Sequence, residues 1–220
     1  MMRLSHVLLK VSDLDDAVDR YRKNGFEVEY GKAKKPNNAM IYFADGTYLE
    51  LLWKTGMPSW AQIPLRLFGK KAFTSRISTW DGANEGLIGM ALESEPDRLA
   101  DAKGILEQSG QSYFQFKSKR LDTKGRNLGF VGVMPDNMKI PFFGTCDTDL
   151  RRTGFVHPNG VVGFKSVHFG TTEELRPIVN TLCDDDRVKL FIGEGVKDLK
   201  FESSAVLEQD MVGTEGNSLL

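Results

Sequence analysis

Cysteine is scarce: Cys146 and Cys183 are the only two among 220 residues. They share no C-x-x-C or other metal-ligand spacing, which removes a disulfide framework and a cysteine-held zinc from consideration. With no secretory pattern in the sequence, a reducing cytoplasm is the expected compartment. Long apolar runs are missing too, and nothing approaches the roughly 20 residues that cross a bilayer as a helix. Neither sign of charge dominates. Lys and Arg number 29 against 30 Asp and Glu, a net charge of -1, so electrostatics gives no reason to expect nucleic acid or a membrane as partner. Phosphate-cradling glycine loops, the G-x-S-x-G elbow and the His-Glu-x-x-His helix are also absent. A chain that is 40% hydrophobic and 27% charged can nevertheless bury a real core.

What is present begins with "LSHVLLKVSDLDDAV", residues 4 to 18. Alternation reads as a strand with Leu4, His6 and Leu8 on one face and Ser5, Val7, Leu9 and Val11 on the other. A helix follows, capped at Ser12 or Asp13, with Asp15 and Asp16 in the first turn. Leu14, Ala17, Val18 and Tyr21 recur at helical spacing, and Gly25 closes it. Strands are expected at 26–31, 39–44 and 47–54, the last two joined by an Asp45-Gly46 hairpin signal. The order of this first module, residues 1–54, is βαβββ.

Residues 55–85 are rich in Gly, Pro and aromatics and read as an irregular, partly helical connector of the kind that often rims a site. The first pattern then repeats over 86–150, with a strand at 86–94, a helix at 95–110 and three strands in "SYFQFKS", "RNLGFVGVM" and "KIPFFGTC". A shorter βαββ echo occupies 151–205, and 206–220 is expected to be a loose tail. The expected fold is α+β: tandem βαβββ modules with a partial third repeat.

Those modules resemble the vicinal oxygen chelate superfamily (glyoxalase, bleomycin resistance, extradiol dioxygenase), and within it the glyoxalase-like domain proteins. "LSHVLLKVSDLDDAV", "NAMIYFADGTYLELL", "IPFF" and "HPNG" carry the likeness, across most of residues 4 to 170. It implies a dihydroxybiphenyl dioxygenase-like fold whose paired modules enclose a cleft. In such a cleft a divalent metal sits on first- and fourth-strand residues and takes an oxygen-rich substrate. Here that selects His6 and Glu50, which strand parity sends to the same side, with Glu50 as the catalytic carboxylate. Leu4, Leu8, Tyr48 and Leu52 would line the cleft, the last three as substrate contacts. An imidazole and a carboxylate suit Mn, Fe, Ni or Zn. A third ligand would come from His157, from Asp147 or from a partner chain, and a homodimer is a reasonable default.

The second module departs from that pattern. With Ser12-Asp13 set against Ser94-Glu95, Ile88 replaces the histidine and Gly144 or Thr145 replaces the glutamate. Two of four positions of an intact glyoxalase-type site are thus lost, which argues against ordinary glyoxalase I chemistry. Two functions stay open. One is a metal-dependent lyase, isomerase or dioxygenase acting on a small molecule; the other is a metal-free sequestering protein of the bleomycin-resistance type. Structural alternatives also stand: His6 and Glu50 as a hydrogen-bonded core pair, and His157 as a turn residue ahead of Pro158-Asn159-Gly160. His168 falls in another register and reads as structural. Arg66, Lys70, Lys71 and Arg76 would hold an anionic substrate or form a solvated face. Trp53, Trp60, Phe68, Phe73 and Trp80 would wall a pocket or bury the connector.

Overall fold

The computed structural model describes residues 2–204; the expected tail at 206–220 lies outside them. In the first module, β1 (Arg3–Lys10) runs into α1 (Leu14–Lys23), then β2 (Glu29–Tyr30), β3 (Asn38–Tyr42) and β4 (Tyr48–Leu52). Asp13 caps α1 by accepting from the Asp16 amide at 3.0 Å. Leu14, Ala17, Val18 and Tyr21 are its buried stripe. The strand expected over 26–31 is only Glu29–Tyr30, since Gly25 at φ 77° turns the chain and delays pairing with β3.

The connector is more helical than expected, forming α2 (Ser59–Leu67) and α3 (Lys71–Gly82). Pro58 precedes α2 at φ -60°, where a fixed φ prepares the turn, and Gly69 at φ 76° separates the two helices. The second module repeats the first: β5 (Gly86–Glu93), α4 (Leu99–Gln108), β6 (Tyr113–Leu121), β7 (Asn127–Pro135) and β8 (Phe142–Cys146).

All eight strands form one sheet in the order β2-β3-β4-β1-β5-β8-β7-β6, the modules meeting where β1 and β5 run antiparallel. Its two ends approach each other. Arg120 on β6 donates to the Gly31 carbonyl at 3.2 Å and the Tyr42 hydroxyl at 2.9 Å, and Lys124 pairs with Glu29 at 2.6 Å. These contacts curl the sheet around a hollow.

The other face carries the main core. Val7, Leu9, Ile41, Leu49, Leu51 and Phe143 meet α1, α4 and a second sheet there. That sheet is the third βαββ segment: β9 (Val161–Thr171), α5 (Arg176–Leu182), β10 (Val188–Ile192) and β11 (Val196–Ser203), ordered β10-β9-β11. It lies separate from the curled sheet, with Phe164 against Phe43 at 4.9 Å between ring centroids. No helix among the described residues is long and apolar enough to cross a membrane.

One lining residue is corrected. The β1–β5 register shifts between Leu4 and His6, and this bulge breaks the alternation. Leu4 therefore joins the main core, while Ser5 and His6 both face the hollow.

Candidate functional site

The hollow is a cavity of about 680 Å³, within the range of small-molecule sites. His6, Leu8, Tyr48, Glu50 and Leu52 all line it, as parity on β1 and β4 requires. These strands pair in parallel with His6 beside Tyr48 and Leu8 beside Glu50. Facing the pair are Arg120 of β6 and Phe142 of β8, so both modules contribute to one site within a single chain. From the connector, Phe73, Ile77 and Trp80 of α3 cover one end, packed with Leu8, Leu52 and Met134.

His6 stacks on Tyr48, ring centroids 4.4 Å apart, and meets the Phe142 ring edgewise at 5.4 Å. Its Nδ1 lies 3.1 Å from Ser5 Oγ. The Nε2 atom is 3.7 Å from Glu50 Oε2, too long for a hydrogen bond. The other carboxylate oxygen, Oε1, accepts from Asn38 Nδ2 at 2.7 Å.

Burial, aided by the nearby Arg120 charge, lowers the His6 pKa to about 3, so its imidazole is neutral at physiological pH. Burial raises the Glu50 pKa, against the opposing pull of the Asn38 hydrogen bond and Arg120. Tyr48 is held protonated by burial, with the Glu50 charge adding to the effect.

The third-ligand candidates lie elsewhere. His157 is sealed behind the sheet among Phe26, Phe43 and Phe155, with its Nδ1 accepting from the Glu27 amide at 3.0 Å. Burial lowers its pKa to about 4. The turn reading accounts for its position: Gly160 N–H donates to the His157 carbonyl, and Asn159 reaches the end of α1 through the Asn24 carbonyl. The metal-ligand expectation for His157 is therefore corrected, because a ring packed into that core cannot reach His6 and Glu50. Asp147 is exposed and occupied by the Gly129 amide and the Thr148 hydroxyl.

Among the described residues no three His, Cys, Asp or Glu side chains gather as a metal site. At Gly144 the lost glutamate cannot be restored either, since a Cβ there would lie 2.3 Å from the Val131 carbonyl oxygen. The donor set is thus one imidazole and one carboxylate beside a guanidinium. That charge works against a cation, and a divalent ion does not fit these residues in the way a three-ligand site requires.

The connector divides as neither expectation alone foresaw. Phe73 and Trp80 wall the cavity, whereas Trp60 and Phe68 are 72% and 81% exposed. Buried Arg76 is used structurally, donating to the Pro135 and Asn137 carbonyls. His168 pairs with Asp198 on the small sheet. Arg120 was absent from the residues singled out in the sequence. The one available signal was its place two residues past the expected end of "SYFQFKS", still in strand parity with Ser118 and Phe116.

Paired βαβββ modules curling one sheet around a shared cleft define the vicinal oxygen chelate architecture. The family model described as a glyoxalase-like domain matches residues 4–182, and the chain belongs to that family. Among solved structures, a hypothetical protein from Staphylococcus aureus is similar with TM-score 0.60 and 15% identity, over 90% of this chain and 88% of that one. A catechol 2,3-dioxygenase is similar with TM-score 0.55 and 11% identity, over 94% of this chain and 77% of that one. At such identities the likeness is one of fold. No curated protein matches the sequence.

Proposed function

We propose that the chain is a glyoxalase-like protein that binds a small organic molecule directly in its cleft, without a bridging metal. The supporting observation is the composition of the polar end. His6, Glu50, Asn38 and Arg120 satisfy or oppose one another, and only the first two are metal-ligating types suited to a divalent ion. One chain supplies both modules, so binding needs no second copy. In this reading Leu8, Tyr48 and Leu52 contact the ligand body, the neutral His6 ring is a hydrogen-bonding group, and Glu50 is an acceptor poised to take a proton.

A second reading, a metal-dependent lyase, isomerase or dioxygenase, is favoured by the 3.7 Å approach of His6 Nε2 and Glu50 Oε2 at the cavity wall. One titration separates the two. Purified protein is stripped with chelator, then titrated with Mn, Fe, Ni and Zn while heat release and melting temperature are followed. We expect no stoichiometric uptake and no shift, since an ion selective for the folded state would stabilise it by RT ln(1 + [L]/Kd). One ion per chain, lost in both His6→Ala and Glu50→Ala, would overturn the metal-free reading.

A further inference from the structure

Arg120 is half-buried in the cavity wall, and its hydrogen-bond partners are uncharged: the Gly31 carbonyl, the Tyr42 hydroxyl and, at 3.6 Å, the Met40 sulfur, with its guanidinium 5.7 Å from the centroid of the Phe130 ring. Among the described residues no carboxylate lies within 4.0 Å of its guanidinium. A charge withdrawn from water in this way is normally matched by an anion. Tyr42 and Gly31 fix the orientation of the fork, while Lys32, Lys54 and Lys117 add positive charge around the same cavity. Against these stand two acids, each already engaged: Glu93 paired with Arg3, and Glu50 accepting from the Asn38 amide. Toward the α3 end the wall is apolar and aromatic, with Leu8, Leu52, Phe73, Trp80, Phe114 and Phe116.

We propose that the ligand of this cleft is an amphipathic carboxylic acid, with an aryl or alkyl body against the α3 end and a carboxylate paired with Arg120. The assignment rests on the reading of the cleft as a small-molecule site. A planar guanidinium fork takes a carboxylate through two parallel hydrogen bonds, which gives orientation as well as attraction. The aromatic wall supplies burial and no directional contact, so selectivity for the body is set by length and girth. About 680 Å³ accommodates a molecule of that kind.

The test uses three probes of one shape: 4-phenylbutanoate, 4-phenylbutan-1-ol and 4-phenylbutyl phosphate, each titrated calorimetrically into the whole protein. The acid should bind at least tenfold more tightly than the alcohol and no more weakly than the phosphate. Arg120→Gln should weaken the acid at least tenfold more than the alcohol and so remove the preference for acid. Because Arg120 also joins the sheet edges, salt provides a second measurement on the unaltered chain. Raising salt from low to high should weaken the acid severalfold and leave the alcohol unchanged. Equal binding of acid and alcohol, or a preference that survives both Arg120→Gln and salt, overturns the ligand class and leaves the cleft reading intact. A tenfold preference for the phosphate also overturns the carboxylate. If none of the three binds at millimolar concentration, the cleft reading falls along with the proposal.

Discussion

Lowering the pH from 7 to 5 should weaken the fold through two imidazoles, and the structure says by how much. The His6 pKa falls from 6.5 to about 3 on folding and that of His157 from 6.5 to about 4, each chiefly through burial. A depressed folded-state value means that the unfolded chain takes up the proton first, so stability is lost as pH falls below 6.5. At about 1.36 kcal/mol per pH unit, the ~1.5 units between pH 6.5 and pH 5 cost about 2 kcal/mol for each ring. Both folded values lie below pH 5, so neither ring recovers this within the window. Together about 4 kcal/mol is at stake, a large part of a typical total of about 5–15 kcal/mol. Asp45 and Asp185, whose pKa values are lowered by Arg187, begin to matter only in more acid solution. Glu50 acts with the opposite sign: its raised pKa makes the fold gain stability on acidification, and so offsets part of the loss. Urea unfolding at pH 7 and pH 5 isolates each histidine by difference. His6→Gln and His157→Asn should each lose about 2 kcal/mol less than the parent over this interval. If His6→Gln loses as much as the parent, then His6 ionises in the folded protein. It would then be a second cation beside Arg120 rather than a neutral ring, and the cleft would not hold a neutral hydrogen-bonding imidazole.

Three further outcomes follow from the packing. Glu50→Gln keeps the size of the side chain and an acceptor for Asn38 but removes a charge that burial disfavours. Its melting temperature should exceed the parent's at pH 8, with the gap closing as pH falls through the raised pKa; an equal gap at every pH contradicts the electrostatic cause. Gly144→Ala would place a Cβ 2.3 Å from the Val131 carbonyl oxygen in the β7–β8 pairing. Overpacking of that kind should cost about 1–3 kcal/mol in chemical denaturation, and a neutral result would show that the strand pair yields. Phe164→Ala, at a fully buried position between the small sheet and Phe43, should cost about 3–5 kcal/mol. Because that contact lies behind the curled sheet, probe binding in the cleft should persist in the folded fraction, and loss of binding at unchanged fold content would refute the separation.

The convergence of His6 and Glu50 was legible because the family resemblance implied a site on the first and fourth strands, and period-two parity on β1 and β4 then set both side chains on one face. Parity failed at Leu4, two residues away, because a bulge depends on how β1 registers with β5 and is not written in β1 alone. The two connector helices were obscured by Pro58, Pro64 and Gly69. These residues read locally as breakers, but in the fold Pro58 and Gly69 stand at the ends of α2, where such residues are tolerated. His157 shows the reverse case. A histidine before a Pro-Asn-Gly turn has chemistry to offer, but the aromatic residues that enclose it come from positions 26, 43 and 155, and only the folded chain brings them together.

Arg120 was the most distant from view, and the reason bears on what the cleft is for. Its partners Gly31 and Tyr42 lie 89 and 78 residues away, on the opposite edge of the sheet. The same guanidinium thus closes the curl and places a positive charge inside it. A protein that needed only to close the curl had cheaper means at that edge, such as the exposed Lys124–Glu29 pair. Here a half-buried charged fork is held by uncharged hydrogen-bond partners in the wall of an aromatic cavity. In the second module the strand pairing corrects the expected equivalence of Ile88: Ala91 beside Phe142 takes the place of His6 beside Tyr48, and Gly144 that of Glu50, yet this module supplies the cation to the shared hollow. In the proposed reading the site is therefore asymmetric rather than two matched halves that grip a metal. The first module contributes a neutral imidazole and a proton-accepting carboxylate, and the second contributes the charge that would anchor an acid.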